Sequence, residues 1–230
     1  MRDRTMALLI PKLDILPPPQ RTLWNELKLT PKSFVLYGGT ALALRLGHRQ
    51  SEDFDFFSTM PFNPNELLAE VPFLVNATVL QCAENTLTCM IERGGRVKLS
   101  FFGGLNLLRI EDPDVVFENG VRVASLIDLA GCKMGVVQQR AEAKDYLDIA
   151  AILRNGVNLQ DALAAAKAVY GPRLDPRISL RALTSFDEGN LKQLDALLQN
   201  ELRAAVSKVQ LDRLPVFTGR AGLYGPEQKL

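Results

Sequence analysis

The chain has 230 residues, with 27 Lys and Arg against 26 Asp and Glu, a formal net charge of +1 and 47% hydrophobic residues. That length holds one large domain or two small ones, and the near-balanced charge gives no bulk electrostatic sign of a nucleic-acid binder, although local basic patches stay open. No apolar run reaches the roughly 20 residues of a membrane-spanning helix, so no membrane partner is expected.

In chain order, residues 1–20 contain a short apolar stretch broken by Pro11, Lys12 and Asp14, with no small-residue cleavage site, so no signal peptide is expected. Pro17-Pro18-Pro19 predicts a stiff, extended arm. Gln20 to Leu29 predicts a short helix with Leu23, Trp24 and Leu27 on one face.

The stretch from Phe34 to Ser58, FVLYGGTALALRLGHRQSEDFDFFS, then reads as strand, glycine turn, helix and strand. Phe34 to Tyr37 is apolar and β-prone. Gly38-Gly39 permits a tight turn and close approach of a ligand to the backbone. Thr40 to Leu46 is the predicted helix, stopped at Gly47. Asp53-Phe54-Asp55-Phe56-Phe57 alternates acid and aromatic, so the two carboxylates share one face and Phe54 and Phe56 the other.

After Pro61 and Pro64, Asn65 is the predicted cap of a helix ELLAEV, followed by Pro72. Three β-like segments follow, Leu74–Gln81, Leu87–Glu92 and Val97–Phe102, with Glu84-Asn85 and Gly94-Gly95 in the turns. Together they predict an antiparallel meander. In the third, Lys98 and Ser100 share a face opposite Val97, Leu99 and Phe101. Leu108 to Val123 reads as two short strands around Asn119-Gly120.

From Ser125 the pattern is helical. SLIDLAGCKMGVVQQR opens with Asp128 as a capping-box partner of Ser125 and places Lys133 beside an apolar stripe. KDYLDIAAILRNG follows, with Asp145 and Asp148 at i,i+3, Lys144 and Asp148 at i,i+4, and Asn155-Gly156 as its end. Leu159–Tyr170 is Ala-rich, Ile178–Thr184 is short, and Asp187 is the predicted cap of a long helix to about Val209 faced by Leu191, Leu194, Leu197, Leu198 and Leu202. Cys82, Cys89 and Cys132 lack metal-ligand spacing and sit in apolar settings, which predicts buried thiols and fits a reducing cytoplasm.

The chemistry concentrates at the glycines and the acidic strand. Like charges on neighbouring same-face positions repel, and a divalent cation removes that repulsion. Mg²⁺ takes one or two carboxylates together with substrate phosphates, and Mn²⁺ suits the same oxygen donors. The helix start after Gly38-Gly39 offers free N–H groups and a dipole that favour a phosphate. The alternative is a glycine turn beside a solvated acidic strand end.

The GG pair, a thirteen-residue gap (Thr40 to Glu52) and DFD resemble the first motif of the DNA polymerase β-like nucleotidyltransferase superfamily. The string GGTALALRLGHRQSEDFDFF, with the later KDYLDI, is similar to its AbiEii/AbiGii-type toxin branch. The resemblance implies an α+β fold, a polymerase β-like sheet with flanking helices followed by a C-terminal helical bundle. It divides the chain into a nucleotidyltransferase-like part with an N-terminal arm at 1–124, a helical part completing the cleft at 125–212 and an extended tail at 213–230. It implies an NTP as substrate, Mg²⁺ or Mn²⁺ on Asp53 and Asp55, and a toxin with a cognate antitoxin. It further implies Lys133 and Asp148 as catalytic and Asp145 as a further phosphate-side residue of the R/K-D-x-x-D motif, the aspartate either holding the lysine or serving as general base.

Gly38, Gly39, Thr40, Arg49, Ser51 and Lys98 complete the expected nucleotide- and phosphate-binding set. For Arg49 a salt bridge to Glu52 or Asp53 is the alternative, and for Lys98 a solvated strand residue. Superfamily members usually carry a third metal carboxylate on the strand taken here by Val97 to Phe102, where no acid stands. Two other readings follow: an interaction protein that keeps the fold without turnover, and a transferase acting on a small molecule such as an aminoglycoside. The acceptor is left open among RNA (tRNA), protein and small molecule.

Overall fold

A computed structural model of the chain describes residues 7–224. They form two compact units, one from 7–107, 112–125 and 221–224, the other from 108–111 and 126–220.

The first unit is built on a mixed sheet. Its elements are β1 (Leu8–Leu9), α1 (Pro18–Trp24), β2 (Val35–Tyr37), α2 (Gly38–Leu46), β3 (Asp53–Phe57), α3 (Pro64–Glu70), β4 (Thr78–Ala83), β5 (Thr86–Glu92), β6 (Arg96–Phe102), β7 (Asp114–Val116) and β8 (Arg122–Val123). The eight strands found among the described residues run in the order β1-β7-β8-β2-β3-β6-β5-β4. β3 pairs antiparallel with β2 and parallel with β6, and β4, β5 and β6 form the expected antiparallel meander.

The alternation along β3 holds. Phe54 and Phe56 are 0% and 1% exposed, while Asp53 and Asp55 are part-exposed on the opposite face. On the buried face Phe56 stacks on Phe101 at 5.2 Å, Phe34 meets Phe101 edge-on at 5.3 Å, and Trp24 of α1 stacks on Phe54 at 6.2 Å. Ring pairs of this kind add about 0.5–1.5 kcal/mol each beyond their buried area. This aromatic block is the rigid floor behind the carboxylates.

The second unit is helical: α4 (Leu126–Val136), α5 (Ala143–Arg154), α6 (Leu159–Tyr170), α7 (Pro176–Ala182) and α8 (Ala196–Ser207). A Cβ on Gly131 of α4 would lie 3.0 Å from the backbone of Ala165 and Ala166. The small residues on both helices therefore let α4 and α6 cross closely, which accounts for the alanine run in α6.

Several expectations are corrected. Pro18 and Pro19 open α1 at its first turn, where a missing N–H costs nothing, so the proline run is helix start and not extended arm; residues 1–6 lie outside the described residues. Asn63, not Asn65, caps α3, because Pro64 takes the first helical position. The three-residue helical turn Pro72–Leu74 precedes β4, so that strand begins at Thr78 and not Leu74. Both carboxylate oxygens of Asp128 accept backbone N–H groups, from Ile110 at 2.7 Å and Glu111 at 3.0 Å, which ties that segment to α4.

The long C-terminal helix is divided. Gly189–Gln193 is a 3-10 turn, Leu194 is extended, and Asp195 caps α8 by accepting the Leu197 N–H. Leu198 and Leu202 are buried as expected, but Leu197 is 77% exposed. Cys89 is buried and Cys132 half-buried, whereas Cys82 is exposed because every residue of the edge strand β4 is. Of the expected tail, Leu211–Arg213 is a helical turn and Arg220 bridges to Arg109; residues 225–230 lie outside the described residues.

Candidate active site

The expected site residues fall into two clusters, one in each unit. In the sheet unit, Tyr37 ends β2 in extended backbone and Gly38 begins α2 at φ +73°. L-residues rarely adopt that conformation. A Cβ on Gly38 would also lie 2.8 Å from Oδ2 of Asp55, so glycine is required twice over. A Cβ on Gly39 would run into the Arg49 guanidinium and stand 3.4 Å from Oγ of Ser51. Arg49, Ser51, Asp55 and the two glycines are thus brought together, as expected.

Thr40 is buried and holds the group in place. Its Oγ1 hydrogen-bonds both the Asp53 carbonyl and, at 2.7 Å, Oγ of Ser51. A carbonyl can only accept, so the Thr40 hydroxyl donates to Asp53 and accepts from Ser51. The start of α2 is thereby tied to the start of β3. Gln20, 3% exposed, donates to the Glu52 carbonyl at 2.6 Å and fixes the same entry from α1.

Strand register sets the remaining neighbours. Asp53 lies beside Lys98 and Asp55 beside Ser100, while Tyr37 pairs with Asp55 from the other side. Nζ of Lys98 is 3.5 Å from Oδ2 of Asp53, both side chains being about two-fifths exposed. Among the described residues no group of three or more His, Cys, Asp or Glu is placed to hold a metal. The donor set is two carboxylates on one face, and a side chain on Gly38 would crowd Oδ2 of Asp55. That set fits a hard divalent cation that keeps water and phosphate oxygens as its other ligands.

In the helical unit, Nζ of Lys133 lies 2.7 Å from Oδ1 of Asp145 and 2.6 Å from Oδ2 of Asp148. The lysine side chain is 7% exposed and both carboxylates 0%. Arg140 adds a two-pronged contact to Asp145, Nε to Oδ2 at 2.8 Å and Nη2 to Oδ1 at 3.1 Å. Burial pushes the Asp145 carboxyl up, but the Arg140 hydrogen bonds and the Lys133 ammonium outweigh it and hold the group below its ordinary value.

The sequence pattern does not point to Arg140. In the sequence Lys144 is the obvious cation beside Asp145 and Asp148, yet its Nζ pairs with Glu142 at 2.9 Å, and the i,i+4 pairing with Asp148 gives way to Lys133. The available signal was an arginine in the loop just before α5, close enough to fold back on the helix start.

The comparisons with known proteins bear on this geometry. Residues 22–217 match the family model described as the nucleotidyl transferase AbiEii toxin of type IV toxin–antitoxin systems. An uncharacterized protein of Aquifex aeolicus is 31% identical over 158 residues, covering 67% of this chain and 74% of that one. Among solved structures, MenT4, a nucleotidyltransferase toxin of Mycobacterium tuberculosis, superposes with a TM-score of 0.58 at 16% identity over 84% of this chain and 83% of that one. A putative nucleotidyltransferase from H. pylori does so at 0.50 and 19% identity over 82% and 90%. The two structures share the fold.

Proposed function

The chain belongs to the AbiEii nucleotidyltransferase toxin family, and on that premise we propose that it moves a nucleotidyl group from an NTP to an acceptor hydroxyl with the help of a divalent cation. The observation that carries this reading is the pair of carboxylates, Asp53 and Asp55, on one face of β3 and against the glycine start of α2.

In the reaction an acceptor oxygen bonds to the α-phosphorus, the α–β phosphoanhydride breaks, pyrophosphate leaves and the acceptor proton passes to solvent or base. Asp53 and Asp55 would hold Mg²⁺ or Mn²⁺, which supplies charge neutralisation for the phosphates. The first N–H groups of α2, at Gly38, Gly39 and Thr40, have no partners within the helix and suit triphosphate oxygens. Arg49 and Lys98 add positive charge at the same face, and Ser51 positions Thr40.

An ammonium has three N–H donors. Asp145 and Asp148 take two from Lys133, and the role proposed for the third is to meet a phosphate oxygen. Of the two roles open to Asp148, holding the lysine is favoured over general base, since its carboxylate is shut from water and already engaged. Asp145 and Arg140 orient the same lysine.

The cellular role assigned is that of a toxin acting in the cytoplasm, controlled by a cognate antitoxin, on an RNA acceptor such as tRNA or on a protein. The rival reading, a fold retained without turnover, draws on the lack of a third carboxylate on β6. Incubation with each labelled NTP, Mg²⁺ and a cell extract decides between them. Label transferred to one fraction, and lost in Asp55→Asn, supports the transferase. No transfer from any NTP supports the rival.

A further inference from the structure

Two-cation phosphoryl-transfer sites need enough negative charge to hold both ions about 3.5–4 Å apart. Here β3 and β6 run parallel in a register that places Lys98 beside Asp53 and Ser100 beside Asp55. The strand position that could have carried a third acid carries an ammonium 3.5 Å from Oδ2 of Asp53, and its other candidate is a neutral hydroxyl, 3% exposed. We infer that Lys98 takes the place of a second cation, so that Asp53 and Asp55 hold one divalent ion while the Lys98 ammonium supplies the other positive charge to the triphosphate.

The inference rests on the metal-carboxylate reading above and narrows it. Two carboxylates, the Lys98 ammonium and the Arg49 guanidinium leave no net charge on this face. One divalent ion makes it positive. Before substrate binds, a second would enter a site already positive, beside the Lys98 ammonium. Lysine suits this duty because it is a compact, mobile point charge with three donors, able to leave Asp53 for a phosphate oxygen without moving the strand. Its part exposure, 40% of the side chain, gives it that freedom. Arg49 reaches the same face from beside Gly39.

The test is a count of ions. Mn²⁺ is titrated into the full chain without added nucleotide or triphosphate, bound ions are counted by loss of the free-ion electron paramagnetic resonance signal, and Mn–Mn coupling reports a pair. Wild type and Lys98→Arg should bind one Mn²⁺ without coupling. Lys98→Asp, which restores an acid beside Asp53, should bind two with coupling, and circular dichroism confirms that it is folded. Should it not fold, the wild-type count and Lys98→Ala still decide: Lys98→Ala should keep one ion and bind it severalfold more tightly, since Asp53 loses its competing cation. Two coupled ions in wild type, or weaker Mn²⁺ binding in Lys98→Ala, overturns the role of Lys98 and leaves the metal-carboxylate reading intact. No bound Mn²⁺ in any of these proteins defeats that reading and the inference with it.

Discussion

Nζ of Lys133 lies 2.6 Å from Oδ2 of Asp148, with the two side chains 7% and 0% exposed. The sequence suggests a lysine that faces a cleft and whose removal ends activity with stability nearly unchanged. For stability the structure requires the opposite. Lys133→Ala would leave two carboxylates buried with one of them still held only by Arg140, and breaking a buried pair in this way costs about 3–5 kcal/mol. Urea unfolding should show that loss, together with loss of transferase activity. A variant as stable as wild type would show that the pair is not closed in solution.

Acid should act through the same cluster. The folded Asp145 carboxyl titrates below its ordinary value of about 3.9, so its charge stabilises the folded state fully above that value. The contribution is lost as pH falls from there through the lower, folded value. Asp145→Asn should therefore flatten the acid limb of a stability–pH profile below about pH 4, while lowering stability at neutral pH. A profile with the same acid slope in both proteins would remove Asp145 from the acid response.

Gly38→Ala tests the glycine start of α2. The φ of +73° costs an L-residue about 1–2 kcal/mol, and the new methyl would meet Oδ2 of Asp55. The expected result is a modest drop in melting temperature and loss of the extra stabilisation that Mg²⁺ and NTP together give the wild type. Retained nucleotide-dependent stabilisation would mean that Asp55 can move aside without consequence.

Thr40→Val keeps the shape and removes the hydroxyl. The Asp53 carbonyl and the Ser51 hydroxyl lose their buried partner, at a cost of about 1–3 kcal/mol, and β3 loses its tie to α2. Thr40→Ser should restore most of the stability and the activity. Equal behaviour of the Val and Ser variants in urea melts and turnover assays would rule out the hydroxyl as the tie.

Much of the sheet unit could be read from local pattern. The acid–aromatic alternation of β3, the Gly47 stop of α2 and the turn residues of the meander each act within a few residues, and each holds. What failed was set by distance or by competition between neighbouring signals. Pro18 and Pro19 are compatible both with an extended arm and with a helix start, and packing of Trp24 on Phe54 selects the helix. Asp187 and Asp195 are both able to cap a helix, and only Asp195 does so for α8. In the site, Lys98, Asp53 and Asp55 were legible singly, but their juxtaposition is a property of strand register. Arg140 reaches Asp145 by a loop path that no periodicity encodes.

The parallel pairing of β3 with β6 also has a kinetic meaning. Parallel neighbours need a long connection, and here the whole β4–β5 meander lies between Phe57 and Arg96. Asp53 and Lys98 can meet only after that excursion has closed, and contacts between distant parts of a chain form slowly. During synthesis, then, a growing chain that has not yet presented β6 carries its carboxylates without their lysine and without a finished sheet behind them. A chain built this way has no complete carboxylate–lysine face until synthesis has passed β6. Stalled chains ending before Arg96 should accordingly give no Mg²⁺–NTP protection against protease, and chains extended through the full sequence should.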